Sequence, residues 1–253
     1  MLVALCNYLV SCTVRLSGYD VNPMKSFPRP LATVDVAIFS IREDALRLLL
    51  VRRPDGADEP FPGQWALPGG FIDTARDVDL EGCAMRKLAD KTGFRIPYLE
   101  QVGGFGNAKR DPRGWSVTQL YFALVPPDAA VPDESGAQWH AVHGDGVGAR
   151  LAFDHKQLVR AALTRLRNKV EYTSLPVYLV TEPFTLGELQ RAFEVVLDRS
   201  VNKAAFRTRV LSAGLVESTG EFRPGPTRPA ELYRAARGAG DVKFFPRTFS
   251  PRS

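Results

Sequence analysis

The sequence predicts an α+β protein in two parts: a mixed sheet with amphipathic helices, then a small unit of two helices and a hairpin. Three observations carry that expectation. Residues 31–53 read as paired strands, residues 67–94 run from a strand through a Gly-Gly loop into an amphipathic helix, and residues 185–233 give helix, turn, basic helix and basic hairpin in order. With 253 residues, 45% of them apolar, the chain is long for one compact domain and comfortable for two.

Residues 1–30 form an N-terminal extension with little pattern. Met1 to Val10 is apolar but too short to span a bilayer, and no basic residue precedes it, which argues against a signal peptide or membrane helix. Leu9-Val10-Ser11-Cys12 has the outward form of a lipoprotein cleavage site but lacks the same basic flank. Pro23, Pro28 and Pro30 make a loose lead-in, with Met24 an alternative start. Cys6, Cys12 and Cys83 make no spaced pair, so neither a disulfide framework nor a zinc site is supported, and a reducing cytoplasm is the expected setting. The net charge of +5 hides an asymmetry: from Val201 onward there are ten Lys+Arg against four Asp+Glu, so the first two hundred residues are nearly neutral.

The first domain is expected over residues 31–170. Thr33 to Phe39 and Leu46 to Arg53 alternate as strands around a turn through Arg42-Glu43-Asp44, a hairpin feeding a mixed sheet. Pro60 to Gly70 brings a further strand to the Gly-Gly loop; Phe61 and Trp65 suit core packing at least as well as base stacking. In the following helix Leu80, Ala84 and Leu88 fall on one stripe, while Lys87 and Lys91 sit one turn apart on the opposite face, toward a cleft or solvent.

The stretch Leu67 to Phe94 resembles a Nudix box, whose pattern is Gly, five free positions, Glu, seven free positions, then Arg-Glu-apolar-any-Glu-Glu-any-Gly-apolar. Here the second half reads Arg86-Lys87-Leu88-Ala89-Asp90-Lys91-Thr92-Gly93-Phe94, and two extra residues separate Gly70 from Arg86. The resemblance implies a Nudix α/β/α sandwich with a mixed sheet. It also implies a damaged metal site. Magnesium takes hard oxygen ligands, yet the family's metal-binding Glu positions are Lys87, Asp90 and Lys91, with Asp77, Asp79 and Glu81 nearby in uncertain register. Asp90 is then either a remnant of a metal ligand set or a working ligand. Two lysines there favour a phosphate compound over a divalent cation.

Beyond the box, Asp111-Pro112-Arg113-Gly114 reads as a turn before a strand from Ser116 to Val125, an arrangement that resembles ADP-ribose-type Nudix proteins. His140 and His143 have no carboxylate or Cys at ligand spacing and read as packing or surface residues. Asp154 is positioned as the N-cap of a helix carrying Leu158, Ala161, Ala162 and Leu166, which closes the first domain.

The second domain is expected over residues 171–240, with a basic tail at 241–253. Thr185 and Glu188 form a capping box before Leu186, Leu189, Phe193, Val196 and Leu197. A second helix runs from about Asn202 to Ala213 and stops at Gly214, with Phe206 and Val210 inward. That leaves Lys203, Arg207 and Thr208 outward and Arg209 at the margin. A hairpin from Leu215 to Ser218, turning through Thr219 to Pro229 into Ala230 to Tyr233, carries Arg223 and Arg228 toward backbone phosphate. This is a winged helix-turn-helix whose first helix lies either in 154–169 or in 171–179.

Taken together, Phe153-Asp154-His155, Phe184-Thr185-Leu186, Asn202-Lys203 with Phe206-Arg207, and Arg228-Pro229-Ala230 make the chain resemble the Nudix-related transcriptional regulators of NAD metabolism. The resemblance implies a homodimeric repressor of NAD biosynthesis or salvage genes. Its winged helices would bind a palindromic operator in double-stranded DNA, and its degenerate Nudix domain would sense ADP-ribose or a related NAD metabolite. The expected ligand residues are Arg52, Arg53, Gly69, Gly70, Arg86 and Lys87, with Arg86 equally suited to bracing the loop against the helix. The expected DNA residues are Lys203, Arg207, Thr208, Arg209, Arg223 and Arg228. The rival is an active ADP-ribose or NADH pyrophosphatase, which would need magnesium at a site rebuilt from Asp90 and the loop acids.

Overall fold

A computed structural model describes residues 28–93, 97–131, 136–225, 228–236 and 242–245. The expectations for most of the N-terminal extension, and for most of the C-terminal tail, lie outside these residues. Strand β1 (Leu31–Arg42) and β2 (Ala45–Arg52) form the expected hairpin, turning through Glu43 and Asp44, both in the left-handed region at φ 52° and 55°. Two short strands follow, β3 (Trp65–Ala66) on β2 and β4 (Gly69–Phe71) on β1. Next come helix α1 (Leu80–Thr92), β5 (Tyr98–Asn107), β6 (Ser116–Leu124), β7 (Ala137–His143) and β8 (Gly146–Val147). The main sheet runs β5-β6-β1-β2-β7-β8 and is mixed, because β1 and β6 are parallel while β1 and β2 are antiparallel.

Strand β1 is buried without a break from Val34 to Ser40, as a central strand covered on both faces must be. Its alternating side chains divide between two clusters. Val34, Val36 and Ile38 meet Cys83, Ala84 and Leu88 of α1, whereas Ala37 and Phe39 meet Leu158, Ala162 and Leu166 of helix α2 (His155–Val170). Period two on the strand and one stripe on each helix thus make the α/β/α sandwich. Leu80 departs from expectation: at the first turn of α1 it overhangs the sheet and is 40% exposed. Asp79 caps α1 by accepting the Gly82 amide at 2.7 Å, and Gly93 ends it in the left-handed conformation.

Strand β9 (Phe184–Thr185), α3 (Leu186–Leu197), α4 (Lys203–Ser212), β10 (Val216–Arg223) and β11 (Ala230–Ala235) make the second unit. The capping box forms in both directions, Thr185 Oγ1 accepting the Glu188 amide and Glu188 accepting the Thr185 amide at 2.7 Å. Glu194 then fixes the turn between the helices. It accepts from the Val201 amide at 2.8 Å and from Gln190 at 3.1 Å, and Asn202 caps α4.

Three details differ from the sequence reading. The wing strand β10 extends to Arg223 through an irregularity between Ser218 and Phe222, so the hairpin is longer and its turn shorter than expected. Phe184 and Thr185 add a third strand by pairing with β11, a long-range contact that no local pattern announces. And Leu175–Leu179 is a single 3-10 turn packed on α3, which α2 also abuts. The place of a first helix is therefore shared between that turn and the end of α2.

No solvent gap divides the two units. One core continues from Phe39, Leu48 and Phe122 through Leu158, Leu163 and Leu175 to Leu189, Phe193, Phe206 and Val210. Arg167 of α2 donates to the Val196 carbonyl of α3 at 3.0 Å, and Tyr98 of β5 stacks on Tyr178 at 5.2 Å. Among the described residues no helix is long and apolar enough to cross a membrane.

Candidate functional site

A cleft of about 270 Å³ opens where β1 changes partners. The C-terminal half of β1 pairs with β2, but Thr33 to Asp35 pair with β4, and the gap between exposes the polar edge of the sheet. Gly69 lies so close to β1 that a Cβ there would fall 2.4 Å from both the Val34 carbonyl and Asp35 Oδ1. Only glycine fits that approach.

The floor is a buried ionic network. Arg110 donates through Nε and Nη2 to Asp154 at 3.0 and 3.1 Å, lies 3.7 Å from Asp35, and is almost wholly buried. Asp35 also accepts from Thr118 Oγ1 at 2.8 Å. His155 Nδ1 accepts the Leu67 amide at 2.9 Å, which leaves Nε2 to carry the proton toward Asp35, 3.7 Å away. Burial lowers the His155 pKa against the pull of Asp35 and Asp154, so the imidazole is held neutral. Asp154 occupies the cap position of α2 as expected, yet its side chain makes no cap hydrogen bond because Arg110 holds it.

Arginines and rings form the walls. Arg53 lies over Phe153 at 4.8 Å and is tied to Glu59 at 2.6 Å. Arg113 bonds Asp111 at 2.8 Å and sits 5.0 Å from Phe71 and 5.9 Å from Phe153. Phe61 meets Phe153 edge-on at 4.8 Å and Trp65 meets His140 edge-on at 4.6 Å, so both aromatics pack rather than stand open to a base. Burial lowers the His140 pKa, and His143 is exposed at the end of β7. A flat ring beside a polyanion suits this combination of guanidinium groups and aromatic faces.

Of the expected ligand residues, Arg52, Arg53, Gly69 and Gly70 line the cleft. Lys87 lies directly beneath, its Nζ 3.1 Å from where a Cβ on Gly70 would stand. Arg86 does not reach the cleft. It grips Asp77 through Nε and Nη2, both at 2.6 Å, and braces the loop against α1. That ion pair holds the Asp77 carboxyl well below the usual carboxylate range.

The acids of the box are dispersed, and Glu81 is exposed in the first turn of α1. Asp77 is bound to Arg86, Asp79 caps α1, and Asp90 is exposed with Arg86 Nη1 3.5 Å away. Among the described residues no group of three or more His, Cys, Asp or Glu could hold a metal ion. The side chain of Lys91 lies outside the described residues.

On the second unit, Lys203, Arg207 and Thr208 are exposed on α4, and Ala204 and Leu211 share that exposure. Phe206 and Val210 are buried, with Phe206 edge-on to Phe193 at 5.2 Å. Arg209 corrects the sequence reading. It turns back onto the protein, donating to the Glu171 carbonyl at 3.2 Å with its guanidinium 4.0 Å over Phe245, and burial lowers its pKa. Arg223 is also engaged, to Glu188 at 2.6 Å and the Pro183 carbonyl at 3.1 Å, so it ties the wing to the start of α3. Arg228 is exposed near the wing tip.

Sequence reasoning missed Asp35, Arg110, Arg113 and His155 as cleft residues. The signal existed for two of them: Arg113 lay in the noted Asp-Pro-Arg-Gly turn and His155 in the noted Phe-Asp-His run, but neither turn nor helix start reveals what the side chain meets.

Residues 31–161 match the NUDIX domain family and residues 176–235 match the NrtR DNA-binding winged helix domain. The ADPR responsive transcriptional repressor NtrR of Acinetobacter baylyi is 46% identical over 221 residues, covering 86% of this chain and 87% of that protein. Crystalline NrtR of Shewanella oneidensis superposes with a TM-score of 0.78 at 42% identity, over 86% of this chain and 99% of that one. The same protein complexed with a 27mer DNA gives a TM-score of 0.74 at 42% identity, over 81% and 93% of the two chains.

Proposed function

We propose, on the premise that this chain belongs to the NrtR family of Nudix-domain transcriptional repressors, that it represses transcription by binding operator DNA and releases it on binding ADP-ribose. The observation that carries this reading is the direct packing of one half on the other: α2 begins at the cleft floor, beside Phe153 and Asp154, and ends against α3. A ligand that shifts the start of α2 biases the placement of the DNA-reading helices.

Residues 31–170 are the sensing domain and 171–240 the DNA-binding domain. ADP-ribose, an adenine ring and two riboses joined by a pyrophosphate, is held by Arg52, Arg53, Gly69, Gly70 and Lys87, with Arg113 and Phe153 added from the cleft walls. Lys203, Arg207 and Thr208 enter the major groove and Arg228 reaches phosphate from the wing. Two copies bind the two halves of a palindromic operator upstream of NAD biosynthesis or salvage genes, and ligand alters their spacing. Hydrolysis is not part of this activity: two of the family's metal positions are Lys87 and Lys91, and of the nearby acids Asp77 is committed to Arg86 and Asp79 to the α1 cap, which leaves only the exposed Glu81 and Asp90 for magnesium.

Selection of duplexes from a random double-stranded pool tests the reading. A salt-sensitive, inverted-repeat sequence bound by two chains is the expected product. Recovery of no preferred sequence, or release of AMP from ADP-ribose with magnesium at ordinary enzyme turnover, would refute it.

A further inference from the structure

The helix that reads DNA is weakly anchored by its own residues. Helix α4 spans ten residues, and only Phe206 and Val210 are buried, whereas an isolated helix of that length is marginal in water. Its orientation therefore rests on what else holds it. A short C-terminal segment does so: Val242 to Phe245 returns to lie against residues 172–174, past the end of the matched winged-helix family at residue 235.

Backbone bonds fix this segment. The Ser174 amide donates to the Lys243 carbonyl at 3.0 Å, the Lys243 amide to Ser174 Oγ at 3.0 Å, and the Phe245 amide to the Tyr172 carbonyl at 2.9 Å. Phe245 is 7% exposed and joins the common core, presenting its ring to the Arg209 guanidinium at 4.0 Å. Lys243 Nζ donates to the Gly214 carbonyl, just beyond the end of α4. Arg209 is completed by the Glu171 carbonyl at 3.2 Å.

We infer that Val242–Phe245 is a positioning strap for the recognition helix, holding α4 through Arg209 at its flank and the Gly214 carbonyl at its end. Operator affinity then depends on a segment that does not itself enter a groove. The strap also explains why Arg209, in a basic helix, is not offered to DNA.

This inference rests on the DNA-binding reading for its functional meaning, and its test separates the two. Full-length wild-type, Phe245→Leu, Phe245→Trp, Arg209→Ala and Phe245→Leu/Arg209→Ala proteins are compared for three properties. These are affinity for a duplex that wild type selects from a random pool, affinity for ADP-ribose, and amide exchange along the chain.

Phe245→Leu keeps apolar bulk but loses the ring face, and is expected to weaken the duplex about tenfold, with the salt slope and ADP-ribose affinity unchanged. Phe245→Trp retains a ring and is expected to bind within about twofold of wild type. Arg209→Ala removes the same ring contact together with the bond to the Glu171 carbonyl and should lose at least as much, and the double variant should lose no more than Arg209→Ala, because the ring contact is already gone. Exchange across Lys203–Ser212 should quicken in Phe245→Leu while β1 and β6 keep their protection. Unchanged exchange in α4 overturns the strap whether or not any duplex is found. So does a fall of about one in the salt slope of Arg209→Ala, which would place that guanidinium on a phosphate.

Discussion

The cleft and the recognition face both carry cations, and they use them in opposite ways. In the cleft Arg53, Arg110 and Arg113 are each bound to a carboxylate, and Arg110 is shut away from solvent with Asp35 and Asp154 around it. On α4, Lys203 and Arg207 are exposed and neither is locked to a buried carboxylate, although Arg207 lies beside Tyr233 and Glu231 of the hairpin. Paired cations build a rigid shape into which a small anion fits, while solvated cations keep their charge for a polyanion that brings its own counterions to release. Arg209 and Arg223 show that sequence position alone does not assign an arginine to either class.

The largest effect that would break this contrast is at Arg110. Arg110→Ala removes the cation beside the buried Asp35 and the partly buried Asp154 and should cost about 3–5 kcal/mol of unfolding free energy, measured by urea denaturation. A loss below about 1 kcal/mol would mean the network is solvated and the cleft floor is not rigid. Next comes the recognition face. Arg207→Ala should weaken the selected duplex by about 1–3 kcal/mol and relax base choice at one position per half-site, leaving thermal stability near wild type. Lys203→Ala should act more uniformly, lowering the salt slope by about one without changing which base is preferred.

Arg86 gives a pH test of the bracing role. Asp77, held by Arg86 below the usual carboxylate range, stays ionised in the fold after the unfolded chain begins to protonate below about pH 4. Its stabilisation is therefore complete above that pH and is lost as acid is added. With Arg86→Ala the depression goes, and the urea midpoint should fall less steeply with acid than in wild type. Equal acid slopes would remove Arg86 from its bracing role. The smallest effect is at the wing: Arg223→Ala breaks an ion pair that is half exposed on both sides and should cost less than about 1 kcal/mol of stability.

These effects also mark what the sequence discloses. The capping box at Thr185 and Glu188, the inward Phe206 and Val210, and the β1–β2 turn are local, and each formed where the pattern put it. The replaced acids of the box were legible for the same reason, since chemistry by residue type needs only the register. Arg110 was not legible. Its partner Asp154 lies 44 residues away and its role exists only once β1 and the start of α2 meet. Arg209 failed for a related reason: helical periodicity placed it at the margin, and Phe245, from the far end of the chain, decided which way it turned.

In the proposed function the cleft and the recognition face answer to one ligand. Anisotropy of a labelled selected duplex, titrated with full-length protein with and without saturating ADP-ribose, tests it most directly. Release is predicted, with ADP-ribose weakening the duplex by about 5–150-fold and the duplex weakening ADP-ribose by the same factor. An operator affinity unmoved by bound ADP-ribose would mean that the two sites are not coupled.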